Sequence, residues 1–103
     1  MLKDDNSFIN EMVELFKIQV AEYSEEMPAM LKEGKYDILA RIAHKAKSSV
    51  AVMGMVKEKE LLEVIETNSK AGTELNSLES LIEAVIVNSK KAILELDEQL
   101  NNT

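Results

Sequence analysis

Apolar residues recur at steps of three and four along most of the chain, which is the period of an amphipathic α-helix. Valine and isoleucine follow the same spacing and do not alternate with polar residues as they do in a half-buried strand. Strong helix formers such as Ala, Leu, Glu, Lys and Met dominate throughout. The pattern predicts an all-helical chain.

Three glycines, Gly34, Gly54 and Gly72, divide this pattern into four segments without flexible linkers. The segments cover about residues 7–32, 36–53, 56–69 and 73–100. Short connections between amphipathic helices favour an antiparallel up-and-down four-helix bundle, here with two long and two shorter helices. We expect one domain over residues 1–103, and a bend or a division at Pro28, which lacks a backbone N–H.

The residues that follow the helical period in each segment form the predicted core. They are Phe8, Met12, Leu15, Phe16, Gln19, Val20, Tyr23 and Met27; Leu39, Ile42, Ala43, Ala46, Val50 and Met53; Leu61, Leu62 and Ile65; and Leu75, Leu78, Ile82, Val85, Ser89, Ala92, Leu96 and Leu100.

Composition narrows the possible partners and compartments. The net charge is −7, and an acidic surface repels phosphate backbones, so we expect no nucleic-acid partner. The first residues are polar, cysteine is absent, and no apolar run reaches the roughly 20 residues of a membrane span, so we expect a cytoplasmic chain. The initial Met1 and the polar end favour a free-standing protein. The apolar stripes of four helices can all be buried against one another within one chain, which favours a monomer.

The positive charge is concentrated in one place. Residues 35–47 carry four cations and one anion, whereas the rest of the chain carries eight cations and eighteen anions. This basic island contains His44, the only histidine. His44 lies about 140° from the centre of its segment's apolar stripe, so it should face solvent. Ala40, Ser48 and Ala51 leave it accessible, and Lys47 lies one turn away.

Position alone leaves a plain alternative, because a single exposed histidine is usually only solvated surface. A zinc site is disfavoured, since zinc needs several His or Cys ligands and the chain has no second histidine and no cysteine. No calcium-loop pattern is present either. We therefore expect no metal site in this chain.

The local sequence favours a chemical role for the histidine. The stretch IAHKAKSSVAVMG, residues 42–54, resembles the signature of histidine-containing phosphotransfer (HPt) domains. In that signature a lysine follows the phosphorylated histidine by three residues, a small residue comes next, and a glycine follows the histidine by ten. His44, Lys47, Ser48 and Gly54 match these positions, although the family usually has glycine where Ser48 stands. The resemblance covers nearly the whole chain.

The resemblance implies a phosphocarrier of a two-component phosphorelay. His44, through Nε2, would accept a phosphoryl group from an aspartate of a response-regulator receiver domain and pass it to another, and Lys47 would neutralise its charge. A hybrid histidine kinase would be a further partner. Mg²⁺ would be bound by the receiver domain and not by this chain. Receivers would dock through residues around the histidine, namely Ala40, Arg41, Ala43, Lys45, Ser48 and Ala51.

Two other functional classes remain as alternatives. The first is a non-phosphorylated helical adaptor, a pseudo-HPt protein in which His44 is incidental. The second is an enzyme, which is disfavoured because the sequence contains no glycine-rich phosphate loop and no nucleophile–base set apart from His44. A histidine-kinase dimerisation helix normally has an acidic residue directly after its histidine, whereas Lys45 stands there.

Overall fold

The computed structural model describes the backbone of residues 2–101 and the side chains of residues 7–99. Within residues 2–101 the chain forms four α-helices, a short 3₁₀ turn (Leu75–Ser77) and no strand. The helices are α1 (Leu2–Lys32), α2 (Tyr36–Val52), α3 (Val56–Ala71) and α4 (Leu78–Asn101). The prediction of an all-helical chain is confirmed.

The two ends of α1 differ from the sequence prediction. The helix begins at Leu2, about five residues before the predicted start, and it runs through Pro28 without division. A proline removes one backbone donor, so only the carbonyl of Ser24 loses its helical partner. The chain continues for one more turn to Lys32 despite this loss, and the expected division does not occur.

Glycines with positive φ make both turns that flank α2. At Gly54 (φ +73°) the chain leaves the helix, and the N–H of Met55 donates to the carbonyl of Val50 over 2.9 Å. Gly34 (φ +71°) is followed by the same bond, from the N–H of Lys35 to the carbonyl of Met30. This pattern is typical of a Schellman helix end, for which glycine is preferred because it lacks a Cβ. Both turns fix where α2 begins and ends.

The helices pack in the cyclic order α1, α2, α3, α4, because each contacts its neighbours in the sequence and α4 also contacts α1. Lys17 of α1 pairs with Asp97 of α4, and Tyr23, later in α1, hydrogen-bonds with Ser89, which comes earlier in α4. Opposite numbering along two helices is what antiparallel neighbours give. The described part of the chain measures 49 × 21 × 19 Å.

The core lies along the bundle axis and contains most of the predicted residues. Among the buried hydrophobic side chains are Val13, Phe16, Val20, Tyr23, Met27, Leu39, Ala43, Ala46, Val50, Leu62, Ile65, Leu78, Ile82 and Val85. Tyr23 and Ser89 are buried together and share a 2.6 Å hydrogen bond, which satisfies both hydroxyl groups. The side chain of Leu100, also predicted to be buried, lies outside the described residues.

The core prediction is wrong for Phe8 and Leu15, which are exposed. Their places on the helical period suit a core, but α1 has 31 residues and α2 only 17, so α2 covers only part of α1. Burial depends on a neighbouring helix being present, which periodicity does not report. No helix among the described residues is both long enough and apolar enough to span a membrane.

The depth of the core predicts a large difference between two leucine truncations. Leu62 in α3 is 0% exposed, whereas Leu94 in α4 is 69% exposed. We expect Leu62→Ala to lower the free energy of unfolding by about 2–5 kcal/mol, because it removes buried methyl groups and leaves a cavity. The control, Leu94→Ala, should change it by less than about 0.5 kcal/mol. Urea denaturation measures both values, and equal losses would contradict this core.

Candidate functional site

His44 lies in the middle of α2, on the side that faces α3, and its side chain is 68% exposed. The helical wheel predicts this exposure correctly. The ring is nevertheless not free, because its Nδ1 atom lies 2.9 Å from Oε2 of Glu66 in α3. One edge of the imidazole is thus held against α3, and the rest of the ring remains open to solvent.

The partner of this contact is a buried carboxylate. Glu66 is only 7% exposed and lies on the side of α3 that packs towards α2. The pKa of Glu66 is lowered from 4.5 to about 2, chiefly by its hydrogen bond with Lys47; burial opposes the shift, and Lys70 adds to it. Glu66 is therefore ionised at neutral pH. Charged groups are rarely buried without partners, and here the cations around Glu66 provide them.

The charge on Glu66 decides the form of the imidazole. An ionised carboxylate can only accept hydrogen bonds, so the hydrogen in the contact belongs to Nδ1 of His44. In the neutral ring the other nitrogen, Nε2, then carries a lone pair. The geometry thus selects the tautomer in which Nε2 is the nucleophilic atom.

Lys47, predicted to act beside His44, holds the same carboxylate from its other side. Its Nζ lies 2.9 Å from Oε1 of Glu66 and 3.7 Å from Oε1 of Glu63. The pKa of Lys47 is raised, mainly by the hydrogen bond to Glu66, while burial acts against the shift. Lys47 therefore positions Glu66, and its ammonium adds positive charge one turn from the histidine.

A second lysine completes the cluster from α3. Lys70 lies one turn after Glu66, and its Nζ is 3.1 Å from Oε2, the oxygen that also accepts from His44. Two lysines and one imidazole thus surround one carboxylate. Among the described residues no group of three or more His, Cys, Asp or Glu side chains is placed to hold a metal ion.

The sequence prediction missed Glu66 and Lys70. A signal for Glu66 was present, because Leu62, Ile65, Glu66 and Ser69 follow the i, i+3, i+4, i+7 spacing of a buried stripe. A charged residue inside such a stripe needs a partner across the helix interface. No comparable signal marks Lys70, because its role depends on where the Glu66 carboxylate points.

The predicted docking residues divide into two groups. Arg41, Lys45, Ser48 and Ala51 are exposed around His44. The prediction of Ala40 and Ala43 as docking residues is wrong, since they are 1% and 0% exposed; the burial of Ala43 agrees with its place in the predicted core. Both face the helices packed against α2, and a wheel drawn for one helix does not show how much of its surface the neighbouring helices cover.

An apolar groove runs between α1 and α2. It has a volume of about 230 Å³, and the exposed side chains of Leu15 and Val52 lie along it. Lys45 and Ser48, which neighbour His44 on α2, also line it. The groove therefore lies on the α1 side of α2, whereas His44 contacts Glu66 on the α3 side.

Comparison with known protein families identifies the chain. The family model described as "Hpt domain" matches residues 11–102, which include His44, Lys47, Gly54, Glu66 and Lys70. The chain belongs to the Hpt domain family. No curated protein and no solved structure matches it.

Membership confirms the family resemblance found in the sequence. Hpt domains take part in phosphorelay signalling as phosphocarriers, and they interact there with receiver domains and histidine kinases. In this Hpt domain the exposed imidazole, the buried carboxylate and the two lysines form the candidate site.

The low pKa of Glu66 predicts how acid affects this Hpt domain. A carboxyl whose pKa falls from 4.5 to about 2 on folding binds its proton less tightly in the folded state. Its stabilising contribution is present above about pH 4.5 and is lost as the pH falls towards about 2. We expect the free energy of unfolding to fall more steeply with acid in the wild type than in Glu66→Gln.

Urea denaturation at a series of pH values from neutral to strongly acidic measures both slopes. Glu60→Gln, which changes an exposed glutamate on the same helix, is the matched control and should follow the wild type. Parallel profiles for the wild type and Glu66→Gln would contradict the assigned ion pairs.

Proposed function

We propose that this Hpt domain accepts a phosphoryl group on Nε2 of His44 from an aspartyl phosphate of a receiver domain and passes it to another receiver. The observation that supports this most directly is the hydrogen bond between Nδ1 of His44 and the ionised Glu66. It orients an exposed imidazole and leaves Nε2 as the accepting atom. We propose the antiparallel up-and-down four-helix bundle as the frame for this site.

The transfer needs no base from the protein. The lone pair of Nε2 forms the N–P bond while the P–O bond to the aspartate breaks, and the aspartate leaves as a carboxylate. Nδ1 keeps its hydrogen, so the ring gains positive charge as the phosphoryl group arrives. The Glu66 carboxylate faces that N–H and therefore stabilises the charged ring more than the neutral one, which lowers the barrier.

The return step is the reverse of this reaction with a second receiver. The aspartate of that receiver attacks phosphorus, the N–P bond breaks, and the ring becomes neutral again. Lys47 contributes positive charge beside the phosphoryl group in both directions. We expect Mg²⁺ to be bound by the receiver domain in both reactions.

The surface around His44 supports docking of such partners. We propose that receivers contact the apolar groove between α1 and α2, together with the exposed Arg41, Lys45, Ser48 and Ala51. Cationic side chains favour the approach of an acidic phosphorylation pocket and raise the association rate. We also propose that the domain acts as a cytoplasmic monomer that receives its phosphoryl groups from a hybrid histidine kinase through the receiver.

The first experiment tests phosphotransfer and its dependence on Glu66. Wild type incubated with phosphorylated receiver domains should acquire acid-labile, base-stable phosphate, and His44→Gln should acquire none. Glu66→Gln should transfer about 10- to 100-fold more slowly, because a hydrogen bond to a charged group contributes about 1.5–3 kcal/mol. Glu60→Gln should match the wild type.

The outcomes separate this proposal from the adaptor alternative. If every receiver tested binds the wild type but none phosphorylates it, the Hpt domain is a non-phosphorylated adaptor and the proposal fails. Equal labelling of the wild type and His44→Gln would also overturn it, because the phosphoryl group would then be on another residue.

A second experiment tests the docking surface. We expect Leu15→Glu to weaken receiver binding by about tenfold or more, because it places a charge in the apolar groove. Leu94→Glu makes the same change at an exposed leucine of α4 and should leave binding unchanged. Calorimetric titration with one receiver measures both affinities, and equal weakening by the two variants would place the interface elsewhere.

A further inference from the structure

One oxygen of the site has two nitrogen partners. Oε2 of Glu66 lies 2.9 Å from Nδ1 of His44 and 3.1 Å from Nζ of Lys70. Oε2 of Glu66 therefore connects the ammonium of Lys70 to the imidazole ring of His44. Oε1, the other oxygen, is occupied by Lys47.

The two lysines differ in how firmly they are held. Lys47 is 19% exposed and contacts both Glu66 and Glu63. Lys70 is 66% exposed, and its ion pair among residues 7–99 is with Glu66, four residues earlier on the same helix. Water screens an exposed ion pair of this kind, so the pair contributes little to stability. Lys70 can therefore exchange Glu66 for another anion at little cost in free energy.

Phosphorylation of His44 changes which cation balances the negative charge on Oε2 of Glu66. Once phosphorus is bonded to Nε2 and Nδ1 keeps its hydrogen, the ring carries positive charge and can alone neutralise the nearby oxygen. At the same moment the dianionic phosphoryl group arrives on the open edge of the ring and needs a cation. The requirement for positive charge thus moves from Oε2 to the phosphoryl oxygens.

We propose that Lys70 is the second phosphoryl-binding cation of the site and exchanges Glu66 for the phosphoryl group when His44 is phosphorylated. This inference rests on the proposed phosphocarrier function. The charged ring then takes the place of Lys70 at Oε2, and Lys47 keeps its contact with Oε1. No group is left without a partner of opposite charge at either stage.

The charges around the site support this exchange. Glu63, Glu66, Lys47 and Lys70 sum to zero beside a neutral imidazole. Without Lys70 the phosphoryl group would enter a cluster with a net negative charge. Arg41 and Lys45, exposed neighbours of His44 in the sequence of α2, form part of the proposed docking surface.

Three variants test the role of Lys70. Lys70→Gln removes the charge, Lys70→Arg keeps it, and Lys57→Gln removes the same charge from an exposed position near the start of α3. We expect Lys70→Gln to accept the phosphoryl group from a phosphorylated receiver about fivefold more slowly, which is the effect of one cation about 4 Å away in water. Lys70→Arg should stay within about twofold of the wild type, and Lys57→Gln should equal it.

A spectroscopic measurement that uses no receiver follows the lysine itself. In protein labelled with ¹⁵N-lysine, the side-chain ammonium signal of Lys70, assigned with Lys70→Arg, should shift when His44 is phosphorylated with phosphoramidate. The signal of Lys57 should not move. A purely structural ion pair with Glu66 would leave the signal of Lys70 unchanged.

The outcomes distinguish this inference from the proposed function. Normal transfer rates in Lys70→Gln together with an unshifted Lys70 signal would overturn the exchange and leave the phosphocarrier function intact. If receivers fail to phosphorylate the wild type, the proposed function fails, and the exchange fails with it. Fivefold slower transfer in Lys70→Gln, rescued by Lys70→Arg and accompanied by the shift, supports it.

Discussion

The site depends on one interaction, the hydrogen bond between Nδ1 of His44 and the buried carboxylate of Glu66. This contact crosses from α2 to α3 and fixes the orientation of a side chain that is otherwise largely in water. A buried charge is costly unless it is paired, and Lys47 and Lys70 provide that pairing. The imidazole, the carboxylate and the lysines therefore form one electrostatic unit.

The fold brings these groups together because it places the two shorter helices, α2 and α3, side by side at a fixed register. Gly54 ends α2 in a tight turn, and α3 returns directly along it. The turn brings residue 66 level with residue 44, where a carboxylate can reach the ring. The longer helices α1 and α4 complete the core, and α1 also forms one wall of the apolar groove.

In the proposed function, this arrangement separates phosphotransfer from docking around the same helix. On the α3 side, charged side chains hold the ring and set its tautomer. On the α1 side, exposed apolar residues such as Leu15 and Val52 offer contact area that carries no charge. The proposed docking of a receiver on the α1 side therefore leaves the hydrogen bond to Glu66 intact on the α3 side.

Much of the fold could be predicted because helix formation is governed by local properties. The period of three and four residues located the helices, and the glycines located their ends to within a few residues at α2 and α3. The start of α1 and the continuity through Pro28 were not predicted, because a helical chain can extend beyond its apolar stripe and tolerate one lost hydrogen bond. Periodicity also placed Leu15 in the core, although no neighbouring helix covers it fully.

The sequence by itself determined the four helices and the exposure of His44, since each depends on spacing within one segment. It also determined the family to which the chain belongs, through a pattern that covers residues 11–102. Only the tertiary structure decided which groups meet the histidine. Glu66, 22 residues away in the chain, reaches His44 through the packing of α3 against α2, and Lys70 joins the site through its contact with Glu66. The burial of Ala40 has the same origin, because it depends on the neighbouring helices and not on its own helix.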